Sequence, residues 1–145
     1  MEPVMQAQIL AIFLLFVLSA LCSMSETALV GMSRIRIVSY IRNNHKAAKY
    51  LKVWLSDPNK LIATILIMNN IVNIAASTVG AFLSIRVAAI LQLNVAATTT
   101  LMASVITLIL IVFSEITPKT FAIHNTEKLG LAVIGPVVFV FGLMR

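Results

Sequence analysis

Three apolar runs set the limits on what this chain can fold into: residues 4–32, 61–85 and 95–117. A helix crossing the ~30 Å hydrocarbon core of a bilayer needs about 20 residues, and each run supplies them. Hydrophobic residues make up 60% of the 145 residues and charged residues only 11%. Soluble domains run near half apolar and roughly a quarter charged. The excess has no water-soluble core to occupy, so the expected class is an all-α membrane protein. Its expected elements are three transmembrane helices, amphipathic helices on the cytoplasmic side, and a juxtamembrane helix over residues 129–144.

Charge orients the chain. The net charge is +6, and seven of the eleven Lys and Arg residues fall between Arg34 and Lys60, with Asp57 the one acid among them. A basic segment between two long apolar runs marks a cytoplasmic loop. This places residues 33–60 inside, the N-terminus outside and the 86–94 turn outside, with Lys119 and Lys128 back in the cytoplasm. Positive charge confined to one loop argues against nucleic acid as a partner. Ile37, Val38 and Ile41 recur at helical spacing, as do Ala48, Leu51 and Leu55 after the Asn43-Asn44 pair. Residues 33–57 therefore predict two short amphipathic helices on the lipid surface, with Tyr40, Tyr50 and Trp54 at the interface. Asp57-Pro58 ends the second of them. Asn94 is a candidate N-cap for the third span, and Pro118-Lys119 closes that span. Gly135-Pro136 breaks the last apolar stretch, which favours a juxtamembrane helix over a fourth span.

The N-terminus lacks the basic region of a signal peptide. Cys22 is the single cysteine, which leaves no internal disulfide and no thiolate cluster. The chain reaches Arg145 without a terminating signal, which implies a longer protein.

Polar residues inside the apolar runs carry the functional signal. Glu115 lies three residues before Pro118, and ionisable groups within a span are functional candidates by default. In the second span Asn70, Asn73, Ser77, Gly80 and Ser84 fall within an arc of about 80° at 100° per residue. This is one polar stripe on an apolar helix. It fits either ion binding or interhelical hydrogen bonding, with Ala76 and Gly80 permitting close approach. In the first span Ser19, Cys22, Ser23 and Glu26 share a face, with Ser25 to one side. Ser104, Thr107 and Glu115 share a stripe on the third. Pro118 frees a backbone carbonyl near Ser114. The donor set is all oxygen, which suits hard cations such as Mg²⁺ and Ca²⁺, and equally Na⁺. Imidazole or thiolate, which transition metals favour, is absent from the set. No His or Lys lies within a span to activate a serine, so the chain is not expected to be an enzyme.

Three motifs carry a family resemblance. Ser25-Glu26-Thr27-Ala28-Leu29, Asn69-Asn70-Ile71-Val72-Asn73 and Ser114-Glu115-Ile116-Thr117-Pro118-Lys119 occur in that order across nearly the whole chain. Together they resemble the CorC / cyclin M magnesium-transporter family, with no departure from its pattern. The resemblance implies a homodimer with three spans per subunit, followed by cytosolic nucleotide-binding domains that this chain lacks. It implies Mg²⁺ export from the cytoplasm, with Na⁺ as the candidate coupling ion. It carries the ion site onto Ser25, Asn70, Asn73, Ser77 and Glu115, with Ser23 close by. Glu26 is either a further ligand or the partner of a basic residue such as Lys119. A competing expectation is a membrane sensor or anchor that binds a divalent cation structurally and transports nothing.

Overall fold

The computed structural model describes residues 3–143 and is helical from end to end. Residues 1, 2, 144 and 145 lie outside the described part, including Met144 at the end of the expected juxtamembrane segment. Helix α1 spans Pro3–Gly31, α2 Arg34–Arg42, α3 Ala48–Ser56, α4 Pro58–Ile90 and α5 Val95–Ile109. A π-helical stretch, Leu110–Ile116, follows without a break and leads into α6, Thr117–His124. Helix α7 spans Thr126–Leu143. Helix α1 is the hub, packing on α4, the π stretch, α6 and α7. Its outward residues, such as Leu10, Phe13 and Leu14, stay exposed, as expected of a face turned to lipid.

The basic segment folds as its periodicity predicts, into α2 and α3. Buried Ile37, Ala47, Leu51 and Trp54 seat the pair on Leu29, Met32, Ile134 and Val137. The connection is a Schellman turn. The His45 amide donates to the Tyr40 carbonyl at 3.0 Å and the Asn44 amide to Ile41 at 3.3 Å. Asn44 takes φ 53°, the left-handed conformation such a turn requires and that Asn tolerates. Asp57 caps α3, and Pro58 opens α4 at its first turn, where a missing N–H costs nothing. A hydrogen bond from Lys60, at 2.6 Å, holds the exposed Asp57 carboxyl below the usual carboxylate range. The contact therefore forms above the ordinary carboxylate pKa and fades as pH falls through the lowered value.

Three expected boundaries move. The second long helix continues to Ile90 rather than ending at Ile85, because Val87–Ile90 carries no breaker and buried Ala88 keeps it packed. The 86–94 turn shrinks to residues 91–94, closed by a second Schellman turn in which Leu93 donates to Ala88 at 2.9 Å. Asn94 caps α5 as expected, accepting from the Ala97 amide at 3.1 Å. Pro118 does not close the third long helix. It sits inside one continuous helix, two residues past the π stretch, and that helix runs on to His124. Nor does Gly135-Pro136 break α7, in which Pro136 is internal; the helix starts at Thr126, ahead of the apolar stretch.

Among the described residues four helices are long and apolar enough to cross a membrane: α1, α4, Val95–His124 and α7. The contacts of α7 keep both its ends beside the basic segment. Glu127 in its first turn pairs with Arg36, and Gly130 lies so close to Met32 that a Cβ there would overlap the thioether. At the other end Phe141 lines a surface pocket with Ser56, Asp57 and Lys60.

Gln92, the turn residue between α4 and α5, adopts φ 53°, a conformation costing a non-glycine residue about 1–2 kcal/mol. Gln92→Gly is expected to raise the unfolding midpoint in detergent, and Gln92→Val to lower it. Circular dichroism melts of the two variants against the parent check this pair.

Candidate metal centre between the long helices

Oxygens meet where α1 crosses α4. Ser19 is 1% exposed. Its hydroxyl oxygen lies 3.0 Å from Asn69 Oδ1 and 2.7 Å from Asn73 Oδ1. One hydroxyl hydrogen donates to one carbonyl at a time, so this three-oxygen cluster has acceptor capacity to spare. Asn69 and Asn73 are four residues apart and therefore share a face of α4. That face carries Val72, Ala76, Gly80 and Leu83, all buried. Gly80 brings α5 close: a Cβ there would stand 2.7 Å from Ile106 Cδ1. One turn along α1 from Ser19, Ser23 is fully buried and its hydroxyl has no hydrogen-bond partner. A buried hydroxyl without a partner is costly in an apolar surrounding, and a bound cation is one explanation for it.

The six residues carried by the resemblance do not form one cluster within a single chain. Asn73 belongs to the seam with Ser19. It also lines an open groove of about 540 Å³ on the outer side of α4, together with Asn70 and Ser77, which are exposed. Ser25 is buried, and its hydroxyl donates to the Leu21 carbonyl at 2.6 Å. It faces a largely apolar cavity of about 180 Å³ among α1, α4 and α7, lined also by Cys22, Thr64, Met68 and Val137. Ser23 sits in the α1 core as described. Glu115 lies in the π stretch beside buried Ser114. Its carboxylate is half-exposed and 3.3 Å from Lys119 Nζ. Glu26, left open between ligand and ion-pair partner, stands 3.7 Å from the same ammonium.

The sequence reading left Ser19 and Asn69 out of the candidate set. The signal for both was present. Ser19 lies on the polar face of the first span, and Asn69 is four residues before Asn73 on the side marked by Ala76 and Gly80. The stripe through Asn70 aligns more polar positions, but the small residues mark the face that packs.

The π stretch matters to the geometry. Its wider turn shifts the register of side chains relative to an α-helix, and such segments recur at functional sites. Thr117 ties down the widened turn twice, donating both its backbone N–H and its hydroxyl, the latter at 2.7 Å, to the Val112 carbonyl. Among the described residues no three His, Cys, Asp or Glu side chains gather into a metal-ligand group. A cation held here would therefore rest on neutral oxygens, with Glu115 or Glu26 supplying charge. That is hard-cation chemistry.

Residues 9–145 match the family described as the cyclin M transmembrane N-terminal domain. A UPF0053 protein of Haemophilus influenzae is 36% identical over 114 residues, covering 79% of this chain and 26% of the relative. The UPF0053 inner membrane protein YfjD of Escherichia coli is 33% identical over 113 residues, covering 78% and 25%. A UPF0053 protein of Synechocystis is 31% identical over 130 residues, covering 89% and 36%. The chain thus spans about a quarter to a third of the length of these curated relatives.

Ser19→Ala leaves two asparagine carbonyls facing a packed seam without their donor. In ion-free detergent it is expected to lower unfolding stability by about 0.6–1.7 kcal/mol, the range for hydrogen bonds between membrane helices. Ser23→Ala removes an oxygen that has no partner, so it is expected to leave ion-free stability unchanged or raised. Reversible unfolding in mixed detergent measures both.

Proposed function

This chain belongs to the cyclin M transmembrane N-terminal domain family, and from that membership and the oxygen-lined seam we propose that it is the membrane half of a Mg²⁺ transporter. The single observation that carries the reading is the convergence of Ser19, Asn69 and Asn73 beside the unpartnered Ser23 hydroxyl. In this reading neutral oxygens replace part of the hydration shell of Mg²⁺, and Glu115 supplies the fixed negative charge. Mg²⁺ gives up its water reluctantly and keeps several molecules when bound. A seam of spaced neutral oxygens beside an open groove leaves room for a partly hydrated ion. Asn73 joins the seam to the groove, and so connects Ser23 and Ser19 to Asn70 and Ser77.

The direction proposed is export from the cytoplasm, with Na⁺ influx as the driving reaction. The orientation proposed puts the basic segment inside and the N-terminus outside, following the positive-inside rule. It is supported by the gathering of α2, α3 and both ends of α7 at one end of the bundle. The same contacts support a juxtamembrane role for α7 and three spans per chain. Asn70 and Ser77 are exposed on a helix that is apolar enough to span. Against lipid, such polar groups call for a cover. We assign that cover to a second copy of the chain, as a homodimer, with lipid around the remaining apolar faces. The remaining length of the relatives has room for cytosolic nucleotide-binding domains, which would regulate transport.

One observation favours the sensor or anchor as a second reading: the Ser19 hydroxyl already bonds the asparagines, as helix glue would. Vesicles containing only this protein and a Mg²⁺-responsive dye separate the two, since transport alone gives a protein-dependent flux.

The binding claim is tested by calorimetric titration of the purified protein with Mg²⁺, and with Ca²⁺ and Na⁺ for comparison. Saturable Mg²⁺ binding is expected. Glu115→Ala and Asn73→Ala are each expected to weaken it by at least about tenfold, a loss near 1.4 kcal/mol. Unchanged binding by both folded variants would overturn the assignment.

A further inference from the structure

Two carboxylates in this structure share one ammonium. Asp57 has Lys60, and Glu127 has Arg36. Glu115 and Glu26 have Lys119 between them, its Nζ at 3.3 Å from Glu115 Oε1 and 3.7 Å from Glu26 Oε2. Glu115 and Lys119 lie four residues apart on one continuous helix, whereas Glu26 reaches the ammonium from α1. Of the three side chains Glu26 is 22% exposed, Lys119 34% and Glu115 45%. The cluster therefore carries one uncompensated negative charge and a cation within reach of two seats.

We propose that Lys119 is an exchangeable counter-ion of the metal site. In the empty protein its ammonium occupies Glu115. When Mg²⁺ engages Glu115 the ammonium moves wholly to Glu26, and its return to Glu115 favours release. This rests on the reading of Glu115 as the charged ligand of Mg²⁺ and adds to it a regulator of affinity. The chemistry of lysine suits the role. An ammonium is a compact point charge with three rotatable donors on a flexible four-carbon stem, and it need not hold a fixed bidentate geometry as a guanidinium does. The physical need is also plain. A carboxylate on a helix apolar enough to span a membrane is costly without a counter-charge, so an empty transporter profits from a built-in cation. A conducting site must also hold its ion weakly enough to let it leave, and a tethered competitor lowers affinity without removing a ligand. Glu26 completes the device, because a displaced ammonium without a second carboxylate would be pushed against Mg²⁺ with no partner.

The test is a mutant cycle read as Mg²⁺ affinity by calorimetry. Lys119→Met removes the competitor and is expected to tighten Mg²⁺ binding by about three- to tenfold, in keeping with a partly exposed ion pair. Glu26→Gln removes the second seat and is expected to weaken binding by a similar factor. Once the ammonium is gone the second seat is irrelevant, so Lys119→Met with Glu26→Gln is expected to match Lys119→Met alone. Lys119→Arg keeps the charge but is able to hold Glu115 bidentately, so it is expected to bind Mg²⁺ no more tightly than the parent. A purely structural ion pair would make Lys119→Met weaker or neutral, and Lys119→Gln serves in its place should the methionine variant not fold. Equal or weaker binding by Lys119→Met, or by Lys119→Gln in its place, with saturable binding by the parent, overturns the exchange and leaves the metal site standing. A double variant weaker than Lys119→Met makes Glu26 a ligand and overturns its role as the second seat. No binding by the parent or by any lysine variant overturns both the exchange and the metal site.

Discussion

The Ser19 hydroxyl, held between the side-chain carbonyls of Asn69 and Asn73, is the contact on which the arrangement of the long helices depends. In a bilayer, apolar contact alone gives helices little reason to prefer one another over lipid; small residues and interhelical hydrogen bonds decide the pairing. Here the hydrogen bonds sit where α1 crosses α4, and Ala76 and Gly80 continue the close contact along the same face of α4. The donors that align the helices are of the type a hard cation would use. In the proposed reading structure and binding draw on the same few oxygens, and Ser23, which the packing leaves without a partner, is the place where the two uses part.

The end of the bundle that carries α2, α3 and α7 behaves differently. Burial there is aqueous in kind: Leu51, Ile37, Trp54 and Ile134 form an apolar cluster under a basic outer surface. Tyr40 and Arg36 both reach Glu127, tying the basic segment to the first turn of α7. This collar holds the lower half of α1 and the first turns of α4 in place. It also sits at the same end as Glu26, Lys119 and the end of the π stretch.

Much of this was legible in the sequence, for physical reasons that can be named. The long runs, the amphipathic pair and the Asn94 cap follow from hydropathy, period and capping chemistry, which are local. The Glu26–Lys119 pairing was one of two options and followed from charge. What escaped was non-local or depended on backbone register. Helical periodicity cannot show which of two adjacent asparagines, Asn69 or Asn70, faces a neighbour, and that choice decided which oxygens Ser19 meets. Proline reads as a stop, but Pro118 follows a π stretch and Pro136 sits inside a helix packed on four others. Neither context is written in a single residue's propensity. Membership of the cyclin M domain family and the multi-pass membrane character were legible because the three motifs lie in order along the runs that cross the bilayer.

The central claim is that asparagine carbonyls of the seam bind the ion, with Glu115 supplying charge. Infrared difference spectroscopy on adding Mg²⁺ tests it most directly, using protein whose asparagine side-chain carbonyls carry ¹³C. The account predicts a shifted asparagine carbonyl band together with a carboxylate change that Glu115→Ala removes. Saturable Mg²⁺ binding with the asparagine band unmoved would contradict it and return Ser19, Asn69 and Asn73 to the role of helix glue.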